Sequence, residues 1–239
     1  MPRVADPTVK IALLRSAAEV FAESGLDAAK VEEITRRAKQ SKGAFYLHFA
    51  TKDDAFRQVV EGFLAQLAAL YQAPSEFESL PDDPSDMLRL WLERDEQMFT
   101  FLWQNRQILS IVAGCQGQQA YLLETFRAEM RSTCGEWVEE SQRRNIVDPA
   151  LDRDLVTTLV CGAYDELVRK MLNMQSPSPI GEWLRQTLSV FMRGLGTPLL
   201  LRSLEKSKVL SPHTVPKRAR VLPGRGPTIA RRVSRLPHE

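Results

Sequence analysis

The residues best suited to chemistry lie between Ser41 and Lys52, and their types suit the binding of a polyanion. Placed at about 100° per residue, residues 42–49 put Phe45 and Phe49 together on one side, which we expect to be buried. The rest of this surface is small and apolar along its middle and carries hydrogen-bond donors along its edges. Its middle is formed by Gly43, Ala44 and Leu47, and its edges by Lys42, Tyr46 and His48.

A helix of this kind fits the major groove of DNA, which is about 12 Å wide and admits one helix. Small residues let the backbone approach the base edges, while lysine, tyrosine and histidine reach the phosphates. Leu47 would contact a thymine methyl group. No residue offers a bidentate base contact unless Lys42 or Gln40 turns inward, so we expect specificity to depend mainly on DNA shape and methyl contacts. The alternative is a pair of short amphipathic helices that pack only for structure.

The surrounding sequence predicts the elements that position this segment. A helix over 31–38, a turn of about three residues and a helix over 42–49 make a helix-turn-helix. Ser41 can cap the second of these helices.

Two longer helices are predicted on either side. The first begins at Asp6-Pro7, where aspartate caps and proline occupies the first helical position, and Gly25 is a plausible end. The other begins with the Thr-Lys-Asp-Asp step at 51–54, which is typical of a capping box, and runs to about residue 72.

Together these residues resemble the DNA-binding domain of the tetracycline-repressor (TetR) family of bacterial transcription regulators. The close part of the resemblance runs from about Ile11 to Phe56. It rests on Ala17-Ala18-x-x-Phe21 with Gly25, on Val31-x-x-Ile34, on Ala38-x-x-Ser41-Lys42-Gly43-x-Phe45-Tyr46-x-His48-Phe49 and on Lys52-Asp53-x-x-Phe56.

Three places depart from the family pattern. Ala29 and Lys30 stand where a hydroxyl residue usually starts the second helix, although Lys30 could still reach a phosphate. Thr35 stands in place of an alanine, and Lys39-Gln40 in place of glycine and valine. We expect Lys39 to strain the turn or to adopt an unusual backbone conformation.

The resemblance implies a ligand-responsive regulator that binds a palindromic operator in double-stranded DNA as a homodimer, with repression as the default output. Base-facing and phosphate-facing positions follow from the same resemblance. The residues that it assigns to DNA are Lys30, Ser41, Lys42, Gly43, Ala44, Tyr46, Leu47, His48 and Lys52.

The rest of the chain is also patterned as helix, near 85–113, 116–145, 149–174 and 180–195, without a strand pattern of useful length. We therefore expect an all-α fold of about nine helices, with an N-terminal helix-turn-helix three-helix domain and a C-terminal helical ligand-binding and dimerisation domain. The predicted divisions are a DNA-binding domain over 1–51, a connecting helix over 52–73, the ligand-binding and dimerisation domain over 74–204 and a basic disordered tail over 205–239.

Large, adaptable side chains are frequent in the middle helices, interspersed with polar groups such as Arg94 and Asp95. Apolar walls with a few polar groups are what a small-molecule site needs, although a well-filled core has the same composition. The effector that this favours is aromatic or lipophilic. The candidate pocket residues are Trp91, Met98, Phe99, Trp103, Tyr121, Phe126 and Met130.

Two apolar faces on the last patterned helices predict a homodimer interface of four helices, as in the resembled family. A purely intramolecular core is the alternative. The candidate interface residues are Leu159, Gly162, Ala163, Leu167, Trp183, Leu188 and Phe191.

Other classes of function find little support. With three histidines, no glycine-rich phosphate loop and no metal-ligand cluster, an enzyme, a cofactor or a metal site is not expected. No apolar stretch approaches a membrane span, and three scattered cysteines fit a reducing cytoplasm. A redox-responsive regulator that uses Cys115, Cys134 or Cys161 is the alternative on the same scaffold.

Charge is unevenly distributed, because the overall +2 conceals a basic end. Residues 206–239 hold nine Lys and Arg against one acid. This tail either adds nonspecific affinity for phosphates or is a solvated extension without a role.

Overall fold

The computed structural model describes residues 6–71, 80–113, 120–177 and 179–207, which form ten α-helices. The expected all-α fold is confirmed. The helices are α1 (Pro7–Ala28), α2 (Val31–Arg37), α3 (Lys42–His48), α4 (Lys52–Tyr71), α5 (Pro84–Gln104), α6 (Arg106–Ala113), α7 (Ala120–Arg143), α8 (Arg153–Leu172), α9 (Ile180–Leu195) and α10 (Pro198–Ser207).

Two features of the helix pattern differ from expectation. The pattern predicted over 85–113 is two helices, because α5 ends at Asn105, whose side-chain amide donates to the carbonyl of Phe101 at 2.8 Å. The helix α10 was not predicted as a separate element. Thr197 starts it by accepting the backbone N–H of Leu200 through its hydroxyl at 3.3 Å, and Pro198 follows as the first helical residue.

The first of two compact units contains α1, α2, α3 and α4 as far as Ala65, with residues 107–113 and 120–123. Its core is aromatic: the rings of Phe21 and Phe56 meet edge to face with centroids 5.2 Å apart, and those of Phe45 and Phe49 are 5.0 Å apart. Phe45 and Phe49 are buried as predicted. This leaves the opposite side of α3 at the surface of the unit.

The ends of α1 follow the predicted signals. Asp6 accepts the backbone N–H of Thr8 at 2.8 Å, and Pro7 occupies the first turn. Gly25 has φ +73°, so the helix is interrupted there and one further turn leads to Ala28. A positive φ is readily adopted by glycine, which explains the residue type at this break.

The second unit contains α4 from Gln66 onward, α5, α7 from Glu124 onward, α8, α9 and α10. The segments that precede α8 and α10 are joined there, because the N–H of Asp148 donates to Leu195 at 2.8 Å and that of Thr197 donates to Ile146 at 3.0 Å. Gly196 is required in this link. A Cβ at that position would lie 2.3 Å from the carbonyl oxygen of Met192.

No helix in the described ranges is both long and apolar enough to cross a membrane. Most of the predicted tail falls outside the described residues, and α10 extends to Ser207, beyond the predicted start of that tail. The predicted domain divisions remain predictions.

Candidate nucleic-acid interface and buried cavity

The turn that presents α3 is a regular helix-ending motif. The N–H of Gln40 donates to Thr35 at 2.9 Å and that of Lys39 donates to Arg36 at 3.2 Å, the two bonds of a Schellman motif. The motif needs a left-handed residue, and Lys39 supplies it with φ +54°. The unusual conformation expected at Lys39 is therefore confirmed. Thr35 fits the crowded position because its hydroxyl donates to Glu32 at 3.1 Å.

Ser41 caps α3 as predicted, since its hydroxyl accepts the backbone N–H of Ala44 at 3.0 Å. The outward side of the helix carries two large exposed side chains, Tyr46 at 56% and Leu47 at 51% exposure. Gly43 is exposed and Ala44 half-buried. The ring of Tyr46 meets the edge of Phe45, with centroids 5.3 Å apart, but about half of the Tyr46 and Leu47 side chains remains open to solvent, so a role outside the unit is expected.

Lys42 forms an ion pair with Glu32 of α2, which the sequence analysis did not anticipate. Both side chains are more than half exposed. The pair raises the pKa of Lys42 and lowers that of Glu32 through a hydrogen bond between their side chains. The Lys42 side chain is thus held toward α2, and an acid stands beside the proposed phosphate contact.

Lys52 has a structural role in addition to any contact with DNA. Its ammonium donates to the carbonyls of Asp27 and Ala29, each at 3.0 Å. These bonds satisfy two carbonyl groups that have no partner within the helix at the end of α1. Lys30, by contrast, is exposed and its side chain does not cap α2. The missing hydroxyl cap is partly offset by Glu32 and Glu33 in the first turn, where the helix dipole favours acids.

His48 is half-buried at the end of α3. Burial lowers its pKa, the positive charge of Lys10 lowers it further, and Asp6 acts in the opposite direction. The imidazole is therefore neutral at pH 7 and has one N–H to donate. Eight of the nine sequence-predicted DNA residues lie on α3 or immediately before α2 or α3, and Lys52 begins α4 with its side chain bonded to the end of α1.

Comparison with known proteins identifies this arrangement. Residues 13–59 match the family described as "Bacterial regulatory proteins, tetR family". The helix-turn-helix domain is thus similar to the DNA-binding domain of the TetR family. The HTH-type transcriptional repressor KstR2 of Mycobacterium tuberculosis is 42% identical over 60 residues, which cover 25% of this chain and 30% of that protein.

The similarity to TetR-family regulators continues beyond this domain at lower identity. The uncharacterized HTH-type regulator YwcC of Bacillus subtilis is 23% identical over 197 residues, covering 76% of this chain and 85% of YwcC. The structure of a transcriptional regulator from Aquifex aeolicus VF5 superposes with a TM-score of 0.60 and 21% identity, over 77% of this chain and 99% of that one. The second unit therefore has the helical fold of TetR-family proteins as well.

Within this second unit lies a cavity of about 110 Å³. Its walls come from α4, α5, α7, α8 and α9. The residues are Leu70, Tyr71, Trp91, Arg94, Asp95, Cys134, Trp137, Val138, Ser141, Val147, Val156, Val160, Tyr164, Leu188, Phe191, Met192 and Leu195.

One stripe of α5 supplies the polar side of the cavity. Trp91, Arg94 and Asp95 are spaced three and four residues apart and thus share a helix face. Tyr164 of α8 donates its hydroxyl hydrogen to Asp95. Burial raises the pKa of Asp95 to about 7, although the bond from Tyr164 acts to lower it. The guanidinium of Arg94 lies over the ring of Trp137, 5.0 Å from its centroid.

Most of the predicted pocket residues are not part of these walls. Trp91 is in the cavity, but Met98 and Phe99 are buried in the core and Tyr121 is half exposed. Trp103, Phe126 and Met130 are half-buried outside the wall. The prediction selected aromatic residues by type, whereas the helix periodicity places Arg94 and Asp95 with Trp91.

The predicted interface residues divide into two groups. Leu159 is 48% exposed, Gly162 is exposed, and Ala163 and Leu167 are half-buried on α8. Leu188 is 4% exposed and lines the cavity, and Phe191 lines it too. Trp183 is covered by the ammonium of Lys170, 4.1 Å from its ring centroid.

Tyr71 and Cys134 line the cavity, and the thiol of Cys161 on α8 interacts with that of Cys134. The bond with Cys134 lowers the pKa of Cys161 to about 7, and the same bond, with burial, raises that of Cys134. Cys115 lies outside the described residues. The comparisons give no support to the redox-responsive alternative.

Proposed function

We propose that the protein is a ligand-responsive repressor that acts in the cytoplasm and binds a palindromic operator as a homodimer. The observation that carries this proposal is the exposed side of α3, where Tyr46 and Leu47 project from a helix whose start and preceding turn are fixed by hydrogen bonds. A helix whose orientation is fixed in this way can enter the major groove of DNA. The similarity of residues 13–59 to the TetR family supports the same function.

In the proposed complex, Gly43, Ala44 and Leu47 face the base pairs. Tyr46 and the neutral His48 donate to phosphate oxygens on the two groove walls, with Lys30, Ser41 and Lys42 beside them. Phosphate contacts fix the register and contribute most of the affinity, whereas Leu47 contributes sequence preference through thymine methyl groups.

The ion pair between Lys42 and Glu32 must be weakened when Lys42 binds DNA. When Lys42 turns to a phosphate, its bond to Glu32 weakens and that carboxylate is left near the DNA backbone. The variant E32Q removes the repulsion and keeps the lysine, so it should bind DNA more tightly than the parent protein. The variant K42A should bind more weakly and reduce the salt slope of log K by about one, since one phosphate contact is lost.

The test begins with selection of bound fragments from the organism's genomic DNA, followed by fluorescence anisotropy on the recovered site at several salt concentrations. L47A should bind about threefold to tenfold more weakly, in keeping with the loss of one base contact. L199A is its control, because Leu199 of α10 is 48% exposed and lies in the other unit. If L47A and K42A both bind like the parent, α3 is not the reading helix.

Dimerisation is proposed through the outward faces of α8 and α9, where Leu155, Leu159 and Val190 are 55%, 48% and 69% exposed. Gly162 adds a place for close approach, because a Cβ there would meet nothing within 4 Å in the subunit. L159E should shift the protein toward monomer in sedimentation velocity, whereas L199E, with the same exposure, should not. A parent protein that sediments as a monomer at micromolar concentration would contradict the homodimer.

The ligand response is proposed to begin in the cavity of the second unit, whose largely apolar wall suits an aromatic or lipophilic effector. A ligand that prefers one arrangement of the wall shifts the population toward it. The helix α4 supplies Leu70 and Tyr71 to that wall, and its first residues belong to the DNA-binding unit. Its displacement would alter operator affinity without any contact between ligand and DNA.

A further inference from the structure

The indole N–H of Trp91 is a buried donor without an acceptor, and among the described residues it is the one buried side-chain nitrogen or oxygen in that state. Indole nitrogen can only donate. A buried polar group without a partner costs free energy, so such groups are rare and call for an explanation. Trp91 is part of the cavity wall, but its nitrogen is covered by protein atoms, so an acceptor on a bound molecule would satisfy it once the wall side chains shift to uncover it.

The surroundings of this donor define the rest of the ligand. Arg94 and Asp95 lie on the same stripe of α5. A cationic ligand would be repelled by the guanidinium. An anionic ligand would be attracted by the guanidinium but, above about pH 7, repelled by the ionised Asp95 carboxylate. A charged ligand would also lose its hydration in a largely apolar site. Both considerations favour a neutral molecule.

The apolar part of the ligand would contact the walls of the cavity opposite α5. These come from valines of α7 and α8 and from the large apolar side chains of α9. At about 110 Å³ the space is somewhat smaller than an engineered cavity of about 150 Å³ that accepts benzene. A single ring with a short substituent therefore enters only when the wall side chains move apart to enlarge this space.

We propose that the effector is a neutral, mainly apolar molecule with a carbonyl-type oxygen, which accepts a hydrogen bond from the indole N–H of Trp91. This inference rests on the proposed ligand response and deepens it, because it names the chemical class of the effector and the residue that recognises its oxygen. The oxygen faces α5, and the hydrocarbon part faces α8 and α9. Trp91 thereby selects carbonyl compounds over hydrocarbons of the same shape.

The test uses acetophenone and isopropylbenzene, which have nearly the same shape but differ in the acceptor oxygen. Affinities are measured on the full-length protein without DNA, by titration of the ¹H–¹⁵N indole resonances. Acetophenone should bind about fivefold to tenfold more tightly than isopropylbenzene, the factor expected of one neutral hydrogen bond. It should also move one indole resonance downfield, and that resonance should be missing from W91F.

The variant W91F keeps an aromatic ring and removes the donor. In W91F the preference for acetophenone should fall to less than twofold, while isopropylbenzene binds as in the parent protein. Benzoate and benzylamine should bind at least about tenfold more weakly than acetophenone, because each carries a charge. W183F is a matched control, because Trp183 is not part of the cavity wall.

Three results would overturn the inference: equal affinities for the two probes, a preference that survives in W91F, or no binding of acetophenone at millimolar concentration. None of these results bears on operator binding by α3, which L47A and K42A test separately. If acetophenone binds through Trp91 but leaves operator affinity unchanged, the site stands and the ligand-responsive part of the proposed function fails.

Discussion

Replacing Asp95 by asparagine should make the protein more stable at neutral pH while leaving its stability at pH 4 nearly unchanged. Asp95 is only 9% exposed, and burial raises its pKa from 3.8 to about 7. Asparagine has nearly the same shape, cannot ionise, and keeps a carbonyl oxygen that can accept the bond from Tyr164.

The sign follows from proton binding in the two states. Below pH 3.8 the carboxyl group is protonated in both the folded and the unfolded chain, so its contribution is fully present. As the pH rises toward 7, the unfolded chain releases this proton and the folded chain retains it, so stability is lost progressively until the folded group also ionises. A shift of about three pH units corresponds to about 4 kcal/mol, at 1.36 kcal/mol per unit.

The measurement is urea unfolding of the parent protein and of D95N between pH 4 and pH 8, followed by circular dichroism and fluorescence. The difference in unfolding free energy between the two proteins should grow in favour of D95N by up to about 4 kcal/mol, with most of the change between pH 4 and pH 7. Comparison with D95N cancels the titration of other groups. A difference that does not vary with pH would refute the assignment of a raised pKa to a buried carboxyl group at this position.

Three further outcomes are expected. K39G should raise the unfolding free energy by about 1 kcal/mol in urea unfolding, because glycine adopts the left-handed backbone of Lys39 without strain; no gain would mean that this turn is unstrained. K52A should lower the unfolding free energy by about 1–2 kcal/mol, because two hydrogen bonds to carbonyls are lost. K30A should change the unfolding free energy by less than about 0.5 kcal/mol. In a C115S background, alkylation of Cys161 by iodoacetamide should rise with pH around a midpoint near 7, since the thiolate is the nucleophile; a midpoint near 9 would exclude the lowered pKa.

The local architecture of the DNA-binding unit could be predicted because its signals are short in range. Ser41 as the cap of α3 and Phe45 with Phe49 on its buried side follow from spacing alone, and the structure confirms them. The unusual backbone conformation expected at Lys39 is confirmed for the same reason, because a helix-ending motif involves only a few neighbours.

The cavity could not be predicted in this way, because its walls come from five helices that are distant in the sequence. Large aromatic residues and methionines fill cores and line pockets alike, so residue type chose Met98 and Phe99, which are buried in the core. A better signal was available in α5: Asp95 is an acid on an apolar stripe, four residues after Trp91. A buried acid needs a reason, and its helical neighbours are the first place to look for one.

Lys52 links the DNA-binding surface and the cavity in the proposed mechanism, because it begins the helix that ends at the cavity wall. Its bonds to Asp27 and Ala29 fasten the first turn of α4 to the end of α1, while Tyr71 in the last turn of α4 borders the cavity. If ligand binding displaces α4 and lowers the affinity for the operator by some factor, linkage requires that operator binding lower the affinity for the ligand by the same factor. K52A would loosen this attachment, so it should reduce the coupling between ligand and DNA more than it reduces ligand affinity in DNA-free protein. Equal coupling in K52A and the parent would place the transmission elsewhere.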